Sequence, residues 1–347
     1  MPAFDLAHPE DQYEDLLGLW SDLESALSVL LMRPLQVQDF GHKVLQVDQW
    51  LQELVAHDID AALYLMFQLA STSTVGYSSS HALVCATLCH IMAQELQLSP
   101  RERDSLVHAA LTMNIGMTRM QDDLAEQRER PSAVQQQAIQ QHPQDGRAIL
   151  ERLYVQDTLW LDVVAQHHTK ISEQLPLAQQ MPRDRLTRIL GTIDRYAAMI
   201  SPRKSRVGRS ATDSVRAIVG QELDQRDEVG YTLVRTVGLC PPGTFVRLDN
   251  GDTAVVLRRS AKINFPLVAS VLDASGANRI EPRLHATHEG KPRVQSALAR
   301  SAVSVDLDHR TMVRLGIYTA RHSEDLCNMV SRSAALSAAP TQPAALN

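Results

Sequence analysis

Residues 108–117 read His108-Ala109-Ala110-Leu111-Thr112-Met113-Asn114-Ile115-Gly116-Met117, an apolar helical run that ends in Ile-Gly. Just upstream, Ser99-Pro100-Arg101-Glu102 puts an N-capping serine ahead of a proline in the first helical turn, so the helix carrying the run begins there. The segments before it are helical too. Leu16, Leu17, Leu19, Trp20, Leu23, Leu27, Leu30 and Leu31 recur at helical spacing with acids on the opposite face. Val44, Val47, Leu51, Leu54 and Val55 make a second amphipathic helix, and a third runs from about Ile59 to Ala70. A polar Ser/Thr/Gly loop over 71–80 delivers His81 to the start of the next helix.

Downstream of the central run, residues 121–130 are charged and end at Pro131, which reads as a surface linker. The helix that follows reaches Gln141-His142-Pro143, where the proline is expected to break or kink it. Further helices fit 145–154, 157–168, 183–200, 211–225 and 228–239, and no strand is expected before residue 240. The texture then changes. Phe245 to Leu248 alternates ahead of Asp249-Asn250-Gly251-Asp252, a strong hairpin signal with Thr253 to Leu257 as partner strand. Leu267 to Leu272 and Arg279-Ile280 suggest a second hairpin around Ser275-Gly276. The expected fold is mainly α, a helical bundle with a small β appendage at 241–288 near the C-terminus; 289–330 receives no assignment, and the Ala/Ser/Pro-rich tail 331–347 is expected to be disordered.

With 347 residues the chain can bury a full core. A net charge of −6 and a pI near 6.1 give no general drive toward nucleic acid or anionic membrane. Met1-Pro2-Ala3-Phe4-Asp5 lacks the basic n-region and apolar core expected of a signal peptide, and no stretch is apolar for long enough to span a bilayer. Cysteines at 85, 89, 240 and 327 suggest no disulfide framework, so a cytoplasmic setting is expected. Cys85, Cys89 and His90 share a helix but lack a second ligand pair at finger-like spacing, and they read as core residues. His108 likewise reads as a helix residue, and His285 and His288 receive no role.

The metal-capable residues, in chain order, are His81, His142, His167, His168 and Asp194, each near a helix end where separate helices can converge on one pocket. Imidazoles with a carboxylate suit Mn, Fe or Zn, and paired metals could activate water and neutralise a phosphodiester. Spacing alone does not single out these four from thirteen histidines.

The surrounding motifs add what spacing lacks. Val75-Gly76-Tyr77-Ser78-Ser79-Ser80-His81, Gln140-Gln141-His142-Pro143-Gln144-Asp145-Gly146, Gln166-His167-His168, Arg188-Ile189-Leu190-Gly191-Thr192-Ile193-Asp194 and Val237-Gly238-Leu239-Cys240-Pro241-Pro242-Gly243 through Leu248 occur in order. Together they resemble the HD-GYP group of HD-type phosphohydrolases, whose active members hydrolyse the bacterial messenger cyclic di-GMP. The resemblance covers roughly residues 60–260 and implies an HD-type bundle over 61–240, with the N-terminal helices of 1–60 packed on it. It also implies that the five residues above are metal ligands.

The departures matter equally. The family has His-Asp-Ile-Gly-Lys where this chain has Met113, Asn114, Ile115, Gly116 and Met117. A thioether thus stands for an imidazole, a neutral amide for the metal-bridging carboxylate, and an apolar chain for the phosphate-binding ammonium. After His168 the family's Gly-Tyr-Pro loop is missing, and Lys170 brings a positive charge that disfavours a cation. Arg203 and Arg206 stand nine and twelve residues after Asp194, where the family carries basic residues that contact the dinucleotide. Arginine forks suit phosphates.

The resemblance therefore implies a bacterial, catalytically degenerate member that acts by binding a regulatory protein or by sensing cyclic di-GMP. No cofactor is expected, or at most Mn, Fe or Zn in a partial site. The alternative is a weak metal-dependent phosphodiesterase. A third reading is a structural module that self-associates through the N-terminal leucine-rich helix, by way of Leu16, Trp20 and Leu23.

Overall fold

The computed structural model describes residues 11–321 apart from 73–74, 172–174, 202, 205–207, 220–226, 261–263, 289 and 291. Among these residues there are twelve α-helices and one five-stranded sheet, with no strand before Phe245. The chain is mainly α with a small antiparallel sheet near its C-terminal end. The expected disordered tail from Ser331, and the last residues of the helix expected over 211–225, lie outside the described residues.

Helices α1 (Asp11–Met32), α2 (Phe40–His57) and α3 (Ile59–Thr72) lead to α4 (Tyr77–Glu95), the axis of the helical region. Every α4 residue from Ser78 to Ala93 is buried, so this helix has no solvent face and must be wrapped by others. It is packed by α1, α3, α5 (Pro100–Thr112), α6 (Thr118–Glu126), α9 (Pro182–Ile200) and α11 (Glu228–Val237). The start of α5 is fixed as its sequence requires: the Ser99 side chain accepts from Glu102 N while the Glu102 carboxylate accepts from Ser99 N, a complete capping box ahead of Pro100. Helices α7 (Ala133–Arg152), α8 (Thr158–Gln166) and α10 (Ala211–Val219) complete the helical layer before the sheet.

Several expectations need correction. The stretch from 121 is no linker as far as Glu126: it is the second half of α6, whose sparse apolar face buries only Leu124 and Ala125 beside Thr118 and Gln121. Asp122 within it accepts from Ser78 N at 2.7 Å and so caps α4. Nor does Pro143 break its helix, since α7 runs through it from Ala133 to Arg152. Proline removes the hydrogen bond that Ile139 O would accept, and His142 Nδ1 reaches that same carbonyl at 2.6 Å. The N-terminal helix offers no free interface through Leu16, Trp20 and Leu23. They are 4%, 1% and 0% exposed, packed in the chain's own core.

The sheet has the order β4-β3-β2-β1-β5, all antiparallel, with β1 (Phe245–Leu248), β2 (Thr253–Arg258), β3 (Leu267–Leu272), β4 (Asn278–Ala286) and β5 (Val294–Leu298). The β1–β2 turn is the Asn250-Gly251 pair, and Gly251 takes φ +88°. β5 lies beyond the boundary at 288 and pairs with β1 rather than continuing the meander. Its Gln295 and Ser296 carry no strand signal, because an edge strand needs little apolar content. Alternation splits the sheet's residues between two cores. Phe245, Val255, Leu257, Ala269 and Val271 join the helical core, while Val246, Leu248, Ala254, Val256 and Val268 form a second cluster. Arg258 pairs with Asp58 at 2.6 Å and Arg259 with Asp60 at 2.6 Å, tying the end of β2 to the start of α3. Helix α12 (His309–Arg321) then packs on α1, α3 and β2.

Candidate metal and ligand site

His142 on α7 and His167 at the end of α8 face each other with Nε2 atoms 3.2 Å apart. Their tautomers are fixed by the backbone. His142 Nδ1 lies 2.6 Å from Ile139 O and His167 Nδ1 lies 2.7 Å from Val164 O, and a carbonyl only accepts. Both Nδ1 atoms therefore carry the proton, and in the neutral rings both Nε2 lone pairs point at one another. A cation between them would relieve that repulsion. A proton is a poor candidate, because burial holds the His142 pKa below its ordinary value and pushes that of His167 down to about 3. The His168 ring stands 5.2 Å from that of His142 and 4.2 Å from that of His167, on the solvent side. One nitrogen from each of the three histidines falls within 4.8 Å of the others.

Asp194, on α9, joins this group to a second one. Its Oδ1 is 2.8 Å from Nε2 of His81, which sits one turn into α4 rather than at its first residue. Burial pushes the Asp194 pKa up, but the hydrogen bond and charge of His81, with His167 and His168, outweigh it and hold the carboxyl well below the usual range. Cys85, one turn after His81 on the same helix, brings Sγ to 3.7 Å from His81 Nε2. Burial, with the Asp194 charge, pushes its thiol well up. The Tyr77 ring stacks on His81 at 5.6 Å and 12°. Over Tyr77 lies Arg203, its guanidinium 4.6 Å from the ring centre and its Nη2 donating to the Tyr77 hydroxyl at 2.8 Å. No carboxylate is within ion-pair distance of Arg203 among the described residues.

Glycines allow this convergence. A Cβ at Gly116 would stand 2.6 Å from His142 O and 2.9 Å from Gly146 N, so the turn after α5 lies directly on the His142 segment. At Gly191 a Cβ would meet His167 O at 2.7 Å, which lets α9 approach the end of α8. Met113, at the end of α5, is 1% exposed and belongs to the hydrophobic core. Asn114 and Met117 are half-buried in the turn.

His81, His142, His167, His168 and Asp194 are thus brought together. Arg203 reaches the same group through Tyr77, while Arg206 lies outside the described residues. The sequence reads Cys85 as a core residue and gives Tyr77 no role; the signal for both was the spacing of four residues on either side of His81, which puts all three on one helix face. His90 and His108 are elsewhere, at 2.6 and 2.9 Å from the two oxygens of buried Asp48 on α2. His285 bonds Ser270 in the sheet.

No protein-family model matches the chain. It is 25% identical over 264 residues to the cyclic di-GMP phosphodiesterase PA4108 of Pseudomonas aeruginosa, an alignment covering 71% of this chain and 62% of that protein. The chain is thus similar in sequence to a cyclic di-GMP phosphodiesterase. It spans less than two thirds of that relative's length. Among solved structures, Bd1817, an HDGYP protein from Bdellovibrio bacteriovorus, aligns with a TM-score of 0.48 and 13% identity over 67% of this chain and 72% of that one. The donor set itself bears on metal. The facing Nε2 pair of His142 and His167, with His168 and ionised Asp194 beside it, fits a divalent transition metal. The neutral side chain of Asn114 does not fit the role of a bridging carboxylate between two metals.

Proposed function

We propose that this protein is a catalytically degenerate HD-GYP signalling protein with an HD-type bundle over 61–240, which binds cyclic di-GMP without hydrolysing it. The observation that carries this reading is Met113. Where the family has a metal-binding histidine, this side chain is 1% exposed and packed into the apolar core, beside an uncharged Asn114. The pair of residues that would hold and bridge two metals is absent. What remains is a group of imidazoles, one carboxylate and an arginine without a carboxylate partner among the described residues.

In this reading Arg203 receives a phosphate of the dinucleotide, and Tyr77 holds the guanidinium in place from below. His142, His167, His168, His81 and Asp194 would supply the ligands for metal, and a bound metal would supply Lewis-acid contact to a phosphoryl oxygen. Signal output then passes to a regulatory protein that recognises the loaded form. Calorimetric titration of cyclic di-GMP into wild type and Arg203→Ala tests the reading. A charge-assisted hydrogen bond contributes about 1.5–3 kcal/mol, so the variant should bind roughly 10- to 100-fold more weakly. Equal affinity of the two proteins would remove Arg203 from the site.

One observation favours a second reading, a weak metal-dependent phosphodiesterase. The two Nε2 lone pairs at 3.2 Å are arranged for a cation with no help from positions 113 and 114. A single metal there would permit slow hydrolysis, visible as linear dinucleotide on long incubation.

A further inference from the structure

We infer that Cys85 is a metal ligand, and that His81, Cys85 and Asp194 together hold one zinc-type cation in a thiolate site that the HD-GYP motifs do not contain. It rests on the reading above only for the loss of bridging at Asn114, and it does not require that cyclic di-GMP binds.

Three observations carry it. First, Cys85 Sγ, His81 Nε2 and an Asp194 oxygen all lie within 4.8 Å of one another. The Sγ–Nε2 separation of 3.7 Å is close to the edge of a tetrahedron with Zn–S of 2.3 Å and Zn–N of 2.0 Å, roughly 3.5 Å. Second, Sγ and Asp194 Oδ1 converge on the single atom Nε2, at 3.7 and 2.8 Å. If Nε2–H donates to Asp194, the thiol has no acceptor there; if Nε2 is bare, it faces a carboxylate. A cation at the meeting point satisfies sulfur, nitrogen and oxygen at once.

Third, the charges add up. The HD-GYP pattern places an aspartate at 114 and another at 194, two negative charges. Here Asn114 is neutral, and a Cys85 thiolate with Asp194 restores the pair. Sulfur also changes the preference: a soft donor selects zinc over magnesium or manganese. Cys89 is the internal comparison. It too is fully buried on α4, but it joins no imidazole or carboxylate in a metal-capable group among the described residues, and burial alone raises its pKa.

On uptake the cation forms the S–metal and N–metal bonds, and the thiol proton leaves to solvent, as does any proton on Nε2. Three protein donors leave a fourth position for water or a phosphate oxygen. Asp194, with 14% of its side chain exposed, is the route in.

The test is spectroscopic. Full-length protein is stripped with chelator and loaded with cobalt(II), and thiolate-to-cobalt charge transfer is read in the near ultraviolet. The band should appear in wild type and in Cys89→Ser and vanish in Cys85→Ser, whose cobalt affinity should fall at least ~100-fold, beyond the usual second-shell loss. A metal held by His142, His167 and His168 alone gives no such band. Should Cys85→Ser fail to fold, X-ray absorption on zinc-loaded wild type decides instead, by a sulfur scatterer at about 2.3 Å. No band in wild type, a band that survives Cys85→Ser, zinc without a sulfur neighbour, or no retained metal each overturns the proposal. Failure of cyclic di-GMP to bind touches none of these readouts.

Discussion

Replacing Gly116 by alanine should destabilise the protein, although the backbone there does not need glycine. Its φ is not in the left-handed region, so alanine would on conformational grounds stabilise by about 0.4–1 kcal/mol through the unfolded chain. The added methyl, however, meets His142 O at 2.6 Å, Gly146 N at 2.9 Å and Asp145 Cβ at 3.2 Å. Two of these are backbone atoms of α7, which cannot swing aside as a side chain can, so the turn and the helix must separate by several tenths of an ångström. Overpacking of this kind costs about 1–3 kcal/mol, and the backbone partners put this case at the upper end, for a net loss of about 2 kcal/mol. At about 2.1 cal/mol/K per residue, a chain of 347 residues has an unfolding entropy of about 0.7 kcal/mol/K, so the melting temperature should fall by about 3 °C. Gly18→Ala is the control: it sits exposed in α1 with nothing within 4 Å of a Cβ, and alanine should be neutral or stabilising by up to about 1 kcal/mol. Differential scanning calorimetry of both variants reads the effect. If Gly116→Ala melts at or above wild type, the close approach of the Ile-Gly turn to the His142 segment is wrong.

Asp48→Asn should cost about 3 kcal/mol, because it uncouples a buried carboxylate from His90 and His108. Burial raises the Asp48 pKa, but the two histidines outweigh it and depress the folded-state value. Its contribution is therefore fully present above the ordinary 3.8, and the stability gap to the variant in urea titrations should narrow only as pH falls below that. Met113→His with Asn114→Asp should gain tight manganese binding, seen as a stability rise of about 2.7 kcal/mol at metal 100-fold above Kd; no rise means that the remaining histidines do not share a pocket with position 114. Trp20→Ala should cost about 3–5 kcal/mol and leave the sedimentation coefficient of the folded protein unchanged, since Trp20 is spent inside its own chain.

Much of this arrangement was legible from residue types. The Ser99-Pro100 start of α5 and the Asn250-Gly251 hairpin each have a local chemical signal, whereas the convergence of the His81, His142, His167, His168 and Asp194 segments was implied only by the resemblance of their motifs to a known family. What escaped reading depends on partners distant in sequence. Asp122 looks like one acid in a charged run until Ser78, forty-four residues earlier, supplies the amide it caps. Pro143 reads as a break because the compensating bond from His142 to Ile139 is made by a side chain. Cys85 is a small core residue by composition, and only the approach of Asp194 from α9 gives its sulfur a second neighbour. Asp48 could not be foreseen as the partner of His90 and His108, because nothing in an amphipathic helix says which buried polar residue it will meet.

The central claim is that the site binds without cutting, and recovery of the nucleotide tests it most directly. Protein is incubated with cyclic di-GMP in Mn²⁺ and separately in Zn²⁺, and the nucleotide is released and resolved by chromatography. Intact cyclic di-GMP recovered from the bound fraction is the predicted result. Linear dinucleotide or mononucleotide formed in proportion to enzyme would contradict it, and would mean that Asn114 and Met113 still support the hydrolytic reaction.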